Sequence, residues 1–449
     1  MNKNYWLDLC FDMICYYMPK DFDVYDSRKK FMEIAEHSVA VAEYVEKIIV
    51  CPEKEQLGEF FFLIGNSYSE CGQYHSSNAH YHKSLAVFES LKDKSLEAAS
   101  IIVNIASNHR NIGEYSIALN LYSKALEIKK NLLGDNHEEI SVIYNNISII
   151  HSDMGDYCNA INTAEKSVKI KENLKINGIS IAISYANIGK TYGRLKDFDN
   201  ALKYYFRALD IFNENYSKES SEFGALYNNI GEAYQAAGRF TDALAYLKKA
   251  LSVRENILGE NHPDTASTLC NIGKVYRDDK QSEKALNYFE KALNIQQEVD
   301  PDNPDVALTY NEMACVFRAM SKFRDALDYS EKAVLIYEKS SGADNLDTAA
   351  VYTNIAGIYR SLGNFEMSLA YSEKARKVME AILGTENIST AYVYINMGAS
   401  YYSLENYNQA VFYYSKALPV LEKFHGNDHP HTVTIRNNIK ETERIRCQK

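Results

Sequence analysis

The sequence predicts an all-α solenoid of about nine antiparallel helix pairs, and three observations carry that prediction. The first is a period. With the Asn of a recurring NIG triplet as anchor, equivalent positions are Leu63, Asn104, Asn146, Asn187, Asn229, Asn271, Glu312, Asn354, Asn396 and Asn438. Every step is 41 or 42 residues, and a fixed period of this size means stacked supersecondary units. The second is a set of three columns that no large side chain enters. They stand two, fourteen and twenty-one residues after the anchor, as at Gly231, Ala243 and Ala250 of the fifth copy. Small residues at fixed places let two helices approach closely while larger neighbours fill the gaps. The third is a ring column five after the anchor: Tyr68, His109, His151, Tyr192, Tyr234, Tyr276, Phe317, Tyr359 and Tyr401.

The elements follow in order. Residues 4–18 read as an amphipathic helix ended by Pro19. The run is too short for a membrane span, contains Asp8 and Asp12, and lacks a cationic start. After the polar link Lys20–Asp26, Ser27 caps a second helix over about Arg28–Val50. Residues 1–58 thus form an N-terminal cap or connector. Nine repeats occupy 59–431. The first begins near Glu59 and is the most degenerate, as a terminal repeat should be. In each copy, helix A runs from about five residues before the anchor to about eight after it. Gly72, Gly113, Gly155, Gly238 and Gly363 mark the turn to helix B. Helix B is about two turns longer than in a 34-residue unit. Gly, Asn and Pro in the following loop end it, and Asp264-Thr265 or their equivalents cap the next helix A. Pro419 falls inside the last helix B and predicts a kink. Residues 432–449 hold a lone capping helix, about Thr432–Arg446, with a solvated charged face.

A chain of 449 residues would ordinarily hold about three domains. A solenoid escapes that expectation, because it grows by nearest-neighbour contacts. The net charge of −11 argues against nucleic acid and anionic membrane as partners. The eight Cys form no CxxC or zinc spacing, and no signal peptide is evident, which points to a reducing cytoplasm.

Catalytic chemistry finds no foothold. Gly189-Lys190-Thr191 imitates the end of a phosphate-binding loop, but Ser184 stands where its first Gly should be, and the stretch lies inside a helix A. His80 with His82, and His429 with His431, are two residues apart, so they point to different faces of a helix and lack a third ligand. His137, His262 and His429 recur in the inter-repeat loop and cap or pack helix ends. No nucleophile–base pair or paired carboxylates stand out. The expectation is a protein that is not an enzyme and uses no cofactor or metal.

The pattern resembles the tetratricopeptide repeat, and more narrowly the 42-residue form found in kinesin light chains. The likeness is closest at ALSVRENILGENHPDTASTLCN, Ala250–Asn271, continuing to Val275-Tyr276-Arg277-Asp278, and it covers roughly residues 59–449. It implies a right-handed superhelix with helix A lining the concave wall, and a non-catalytic scaffold or adaptor for a protein or peptide. A shorter segment, Glu33–Val45, resembles the connector leading into the repeats of STAND signalling ATPases. That implies the alternative: a sensor or regulatory module working with such an ATPase or another effector. With no complete phosphate-binding loop, any ATPase activity would need a partner chain.

On the concave wall the resemblance places the anchor column, including Asn229, Asn271, Asn354 and Asn396. Their amides can hold the backbone of an extended peptide, or bond a neighbouring repeat and order the stack. Six after the anchor stand Arg110, Arg277, Arg318 and Arg360, the last three in consecutive repeats, with Lys274 one turn from Arg277. A basic stripe in an acidic protein suits carboxylates. Kinesin light chains grip acidic-aromatic peptides in the corresponding groove, so the resemblance implies an acidic ligand across repeats six to eight. Against this, Asp278 and Glu312 lie close enough to neutralise the stripe.

Overall fold

Where the small columns predict close approach, the computed structural model shows helix pairs meeting backbone to backbone. It describes residues 54–91, 94–176, 178–215 and 220–448. The expected helices over 4–18 and 28–50, and the Glu33–Val45 segment, lie outside the described residues. The chain forms two compact units, Met1–Tyr216 and Ser217–Lys449. The first holds α1 (Lys54–Glu70), α2 (Tyr74–Glu89), α3 (Ser95–Ile112), α4 (Tyr115–Leu133), α5 (Glu138–Asp153), α6 (Tyr157–Asn173), α7 (Ile179–Arg194) and α8 (Phe198–Asn215). The second holds α9 (Ser221–Ala236), α10 (Phe240–Leu258), α11 (Pro263–Asp278), α12 (Ser282–Val299), α13 (Pro304–Ala319) and α14 (Phe323–Ser341). It continues with α15 (Leu346–Ser361), α16 (Phe365–Leu383), α17 (Ile388–Ser403), α18 (Tyr407–His425) and α19 (Pro430–Gln448). Odd-numbered helices are A, even-numbered are B, and within each unit every helix packs on its successor. Among the described residues there is no strand.

The crossings have no spare volume. In columns fourteen and twenty-one every residue is 0 % exposed, from Ser77 and Ser84 to Ala410 and Ala417. The serines there satisfy their hydroxyls across the crossing: Ser77 Oγ donates to the Gly65 carbonyl at 2.6 Å and Ser84 Oγ to that of Gly58 at 2.7 Å. At column two, a Cβ on Gly231 would lie 2.5 Å from Leu247 Cγ, and one on Gly273 would lie 2.6 Å from the Phe289 ring. The facing residue is the eighteenth after the anchor. Where column two carries Ala314 or Ala356 instead of Gly, that position carries Ser330 or Ser372. In those two copies the added methyl meets a smaller side chain, whereas in the second copy Ala106 has Tyr122 at the matching position.

In seven copies the ring of column five stacks on a second ring on helix B, while His109 and His151 turn to Glu114 and Asp156. Tyr192 stacks on Tyr204 at 5.5 Å between centroids, Tyr276 on Tyr288 at 5.4 Å and Tyr401 on Tyr413 at 5.7 Å. A cation covers many of these pairs, as Lys249 Nζ does 4.6 Å from the Tyr246 centroid. Most of the abundant Tyr therefore serves the stack.

The A–B turn is one device repeated nine times. Its residue in the left-handed region is Gly at 72, 113, 155, 238 and 363, but Lys196, Lys280, Ser321 and Glu405 adopt the same conformation in the other copies, with φ between 57° and 63°. The next residue donates its N–H back to the ring-column carbonyl, as Gln281 does to Tyr276 at 2.8 Å, which satisfies the helix end. Glycine reveals five of these turns in the sequence; the stack imposes the other four.

Helix A starts about a turn earlier than the hydrophobic pattern suggests. α11 begins at Pro263, and its cap is the His262 side chain, whose Nδ1 accepts from the Asp264 N–H at 3.1 Å. The cap thus lies at His262 and not at Asp264-Thr265. Asn303, Asn345 and Asn387 do the same for α13, α15 and α17, and His137 and His429 for α5 and α19. The helix through Pro419 runs unbroken from Tyr407 to His425.

Lys171, like Arg254, is a buried cation that bonds neutral oxygens rather than a carboxylate. Lys171 of α6 donates to the Ser180 carbonyl at 2.7 Å and to Ser184 Oγ at 2.9 Å. Burial pulls its pKa down to about 8, with Glu138 drawing it back up.

Two predictions follow from these features. A non-Gly residue in the left-handed region costs about 1–2 kcal/mol, so Ser321→Gly should stabilise the fold by about 1 kcal/mol and Gly363→Ala should weaken it, as read by denaturant unfolding. For Lys171 the folded pKa is depressed, so below about pH 8 both states are protonated and the penalty is full. Above that, the unfolded chain keeps a proton the folded chain has lost, and stability rises with pH. Lys171→Met should therefore be more stable than the native chain at pH 7. The gap should narrow by about 2–3 kcal/mol on approaching pH 10.5.

Candidate functional site

The anchor amides face the preceding helix A. Asn187 Nδ2 donates to Asn145 Oδ1 at 3.2 Å, Asn271 to Asn228 at 3.2 Å and Asn354 to Asn311 at 2.8 Å. Asn396 reaches the Thr353 carbonyl at 3.4 Å. Each bond spans one repeat, so the column ties consecutive helices A together, and an amide with two donors and an acceptor keeps capacity for a ligand. Asn229 is half-buried on α9, beside Asn228, which donates to Glu232 at 2.8 Å.

The basic stripe divides in two. Arg277 is committed: it pairs with Glu312 of the next helix A and donates through Nε to Asp278 at 2.9 Å. Lys274 Nζ turns to Asn271 Oδ1 at 3.3 Å, and Asn271 also donates to Glu232 at 2.5 Å. Lys274, Arg277 and Asn271 therefore belong to a polar network that holds its own acids. Arg318 and Arg360 differ. Among the described residues neither forms an ion pair. The reason lies in the anchor column, which carries a glutamate opposite Arg277 and the neutral Asn354 and Asn396 in the two copies after it.

Arg318, Arg360, Asn354 and Asn396 meet at one cavity of about 650 Å³, within the second unit. Helices α13, α15, α17 and α19 all contribute to its wall. Its apolar part includes Ala350, Ile395, Ala399 and Tyr414; its far side is Pro430, His431, Thr434, Ile435 and Asn438 of α19. Burial pushes the Tyr414 phenol up to about 12, against the pull of Arg360. At the rim, Tyr392 OH lies 3.2 Å from His425 Nε2, and the His425 and His429 rings stack at 4.4 Å. The wall offers two charged forks, three amides and an apolar floor.

Tyr392, His431 and Asn438 were not assigned to the groove from the sequence. A signal existed: Asn438 continues the anchor period into α19, which lines the cavity as a tenth helix A would. Among the described residues, no group of three His, Cys, Asp or Glu could hold a metal, and no helix is long and apolar enough to cross a membrane.

The family model of the tetratricopeptide repeat matches residues 61–131, 97–173, 222–298, 278–339, 305–381, 347–423 and 389–448, and a second model of the same repeat matches 182–215. The chain belongs to the tetratricopeptide repeat family and has the build of a protein-binding scaffold. Comparison with curated proteins gives no match. Among solved structures it is similar to the apo form of the quorum sensor NprR from B. thuringiensis. That match has 14 % identity over 84 % of this chain and 97 % of that one, with a TM-score of 0.58. Aspartyl phosphate phosphatase F from Bacillus subtilis matches at 17 % identity over 84 % and 97 %, with a TM-score of 0.53. BtubC (BKLC) from P. vanneervenii matches at 21 % identity over 50 % and 91 %, with a TM-score of 0.44. Identities this low speak for the fold alone.

The amide ladder makes a testable claim of its own. Asn271→Ala leaves Asn228 Oδ1 without its donor and removes one of the two amide donors to Glu232, and should cost about 1–3 kcal/mol in thermal unfolding. Asn396→Ala, which removes one long bond of 3.4 Å, should cost less.

Proposed function

We propose that this protein is a non-catalytic adaptor whose second unit holds an extended acidic segment of a partner protein in the cavity walled by α13, α15, α17 and α19. The observation that carries the reading is the pair Arg318 and Arg360, two cations without acids at one cavity of a chain with net charge −11. Repulsion from the rest of such a surface deters most acidic ligands, so a local basic site selects for one that fits. Asn354 and Asn396 supply amides for its backbone, and Tyr392, Ile395 and Ala399 a floor for an apolar or aromatic side chain. The network around Arg277 supports a structural role for repeat six, so the binding groove runs over repeats seven to nine and α19.

An exposed ion pair is worth about 0–1 kcal/mol, so affinity comes from several such contacts plus the apolar anchor. A peptide selected by display on the purified chain should be acidic, and its affinity should fall with added salt. Arg318→Glu should weaken binding more than Arg318→Ala, since it adds repulsion to the lost pair; Arg360→Glu should behave alike. Selection of basic peptides, or indifference to all three substitutions, would overturn the assignment.

A further inference from the structure

We infer that Gly357 is a positioning residue for the groove: its missing side chain seats the Arg318 guanidinium against bare helix at the cavity wall. This rests on the acidic-segment reading. Gly357 is buried in the middle of α15, where Gly is less favourable than Ala by about 1 kcal/mol. It belongs to none of the three small columns, and equivalent positions elsewhere hold Ile149, Lys190, Glu232, Lys274, Cys315 and Ala399. The crossing of helices A and B therefore does not ask for it.

The neighbouring chain does. A Cβ at Gly357 would lie 3.0 Å from Arg318 Nη1. Among the described residues, and apart from its own helix and chain neighbours, Nη1 is the one atom within 4 Å of that point. No packed side chain or backbone fills the space; a charged fork does. Arg277, one repeat earlier, is held by Glu312. Arg318 has Asn354 at the matching place and no carboxylate to fix it. Contact with the buried face of α15 that Gly357 leaves bare of a side chain substitutes for that acid, holding the fork at the cavity wall and leaving its charge unspent. A planar guanidinium so placed suits a carboxylate approached edge-on.

The test pairs Gly357→Ala with Arg318→Ala, singly and together, using a fluorescein-labelled peptide of alternating Asp and Tyr as probe. Nothing but a flexible guanidinium opposes the new methyl, so Gly357→Ala should fold with an unchanged or higher Tm. Its affinity for the probe should be up to about fivefold weaker, the equivalent of an exposed charge pair, with a shallower salt dependence. In the Arg318→Ala background it should have no further effect, since the residue acts through Arg318. Native affinity in Gly357→Ala, or equal weakening with and without Arg318, would overturn the positioning role while leaving the groove intact. Probe binding untouched by Arg318→Glu and Arg360→Glu would instead remove the acidic-segment reading, and this inference with it.

Discussion

Everything in this chain hangs on the contact between helices A and B at the small columns. Side chains of columns fourteen and twenty-one have no exposed surface in any copy, and a methyl added at Gly231 or Gly273 would enter the space of Leu247 or Phe289. A crossing this tight admits one distance and one angle. Repeated with a nearly constant period, it fixes where each helix A stands relative to the next within a unit. The consequences are visible far from the crossing: four non-Gly residues are held in left-handed A–B turns, and a buried lysine is kept beside neutral oxygens. A local preference worth about 1–2 kcal/mol loses to the stack.

A scaffold so uniform expresses function through departures from uniformity. The A helices repeat an amide ladder and an arginine column, and most of it is internally satisfied. Glu312 replaces the anchor Asn in one copy and neutralises Arg277. The next two copies restore Asn, and Arg318 and Arg360 are left without acids beside a cavity. One glutamate thus decides where the stripe is paired and where, among the described residues, its cations have no acid. The same logic marks Gly357, a residue unexplained by the crossing and explained by the arginine above it.

Much of the fold was legible because its causes are steric and periodic. The small columns, the ring column and five of the nine turns could be read off directly. The close contact between Gly231 and Leu247 was missed because it links positions on different helices. The recurring His137, His262 and His429 were legible as residues that cap or pack helix ends, and they do cap them, but Asp264-Thr265 was taken as the cap two residues past His262. Of the candidate site, the arginine and amide columns were legible, and so were Asp278 and Glu312 as acids able to neutralise the stripe. That they take Arg277 alone, leaving Arg318 and Arg360 without an ion pair among the described residues, needed coordinates. Asn438 carried the period into the last helix, yet its charged neighbours drew that helix toward a solvated cap.

The location of the ligand tests the account most directly. An acidic, aromatic peptide carrying a photoreactive group, cross-linked to the full chain and mapped by mass spectrometry, should label α15, α17 and α19 around Tyr392, Ile395 and Asn438. Labelling should disappear at high salt, because the charge pairs are exposed. Cross-links centred on α11 around Lys274 and Arg277, or spread evenly over both units, would contradict the claim that unspent cations define the site.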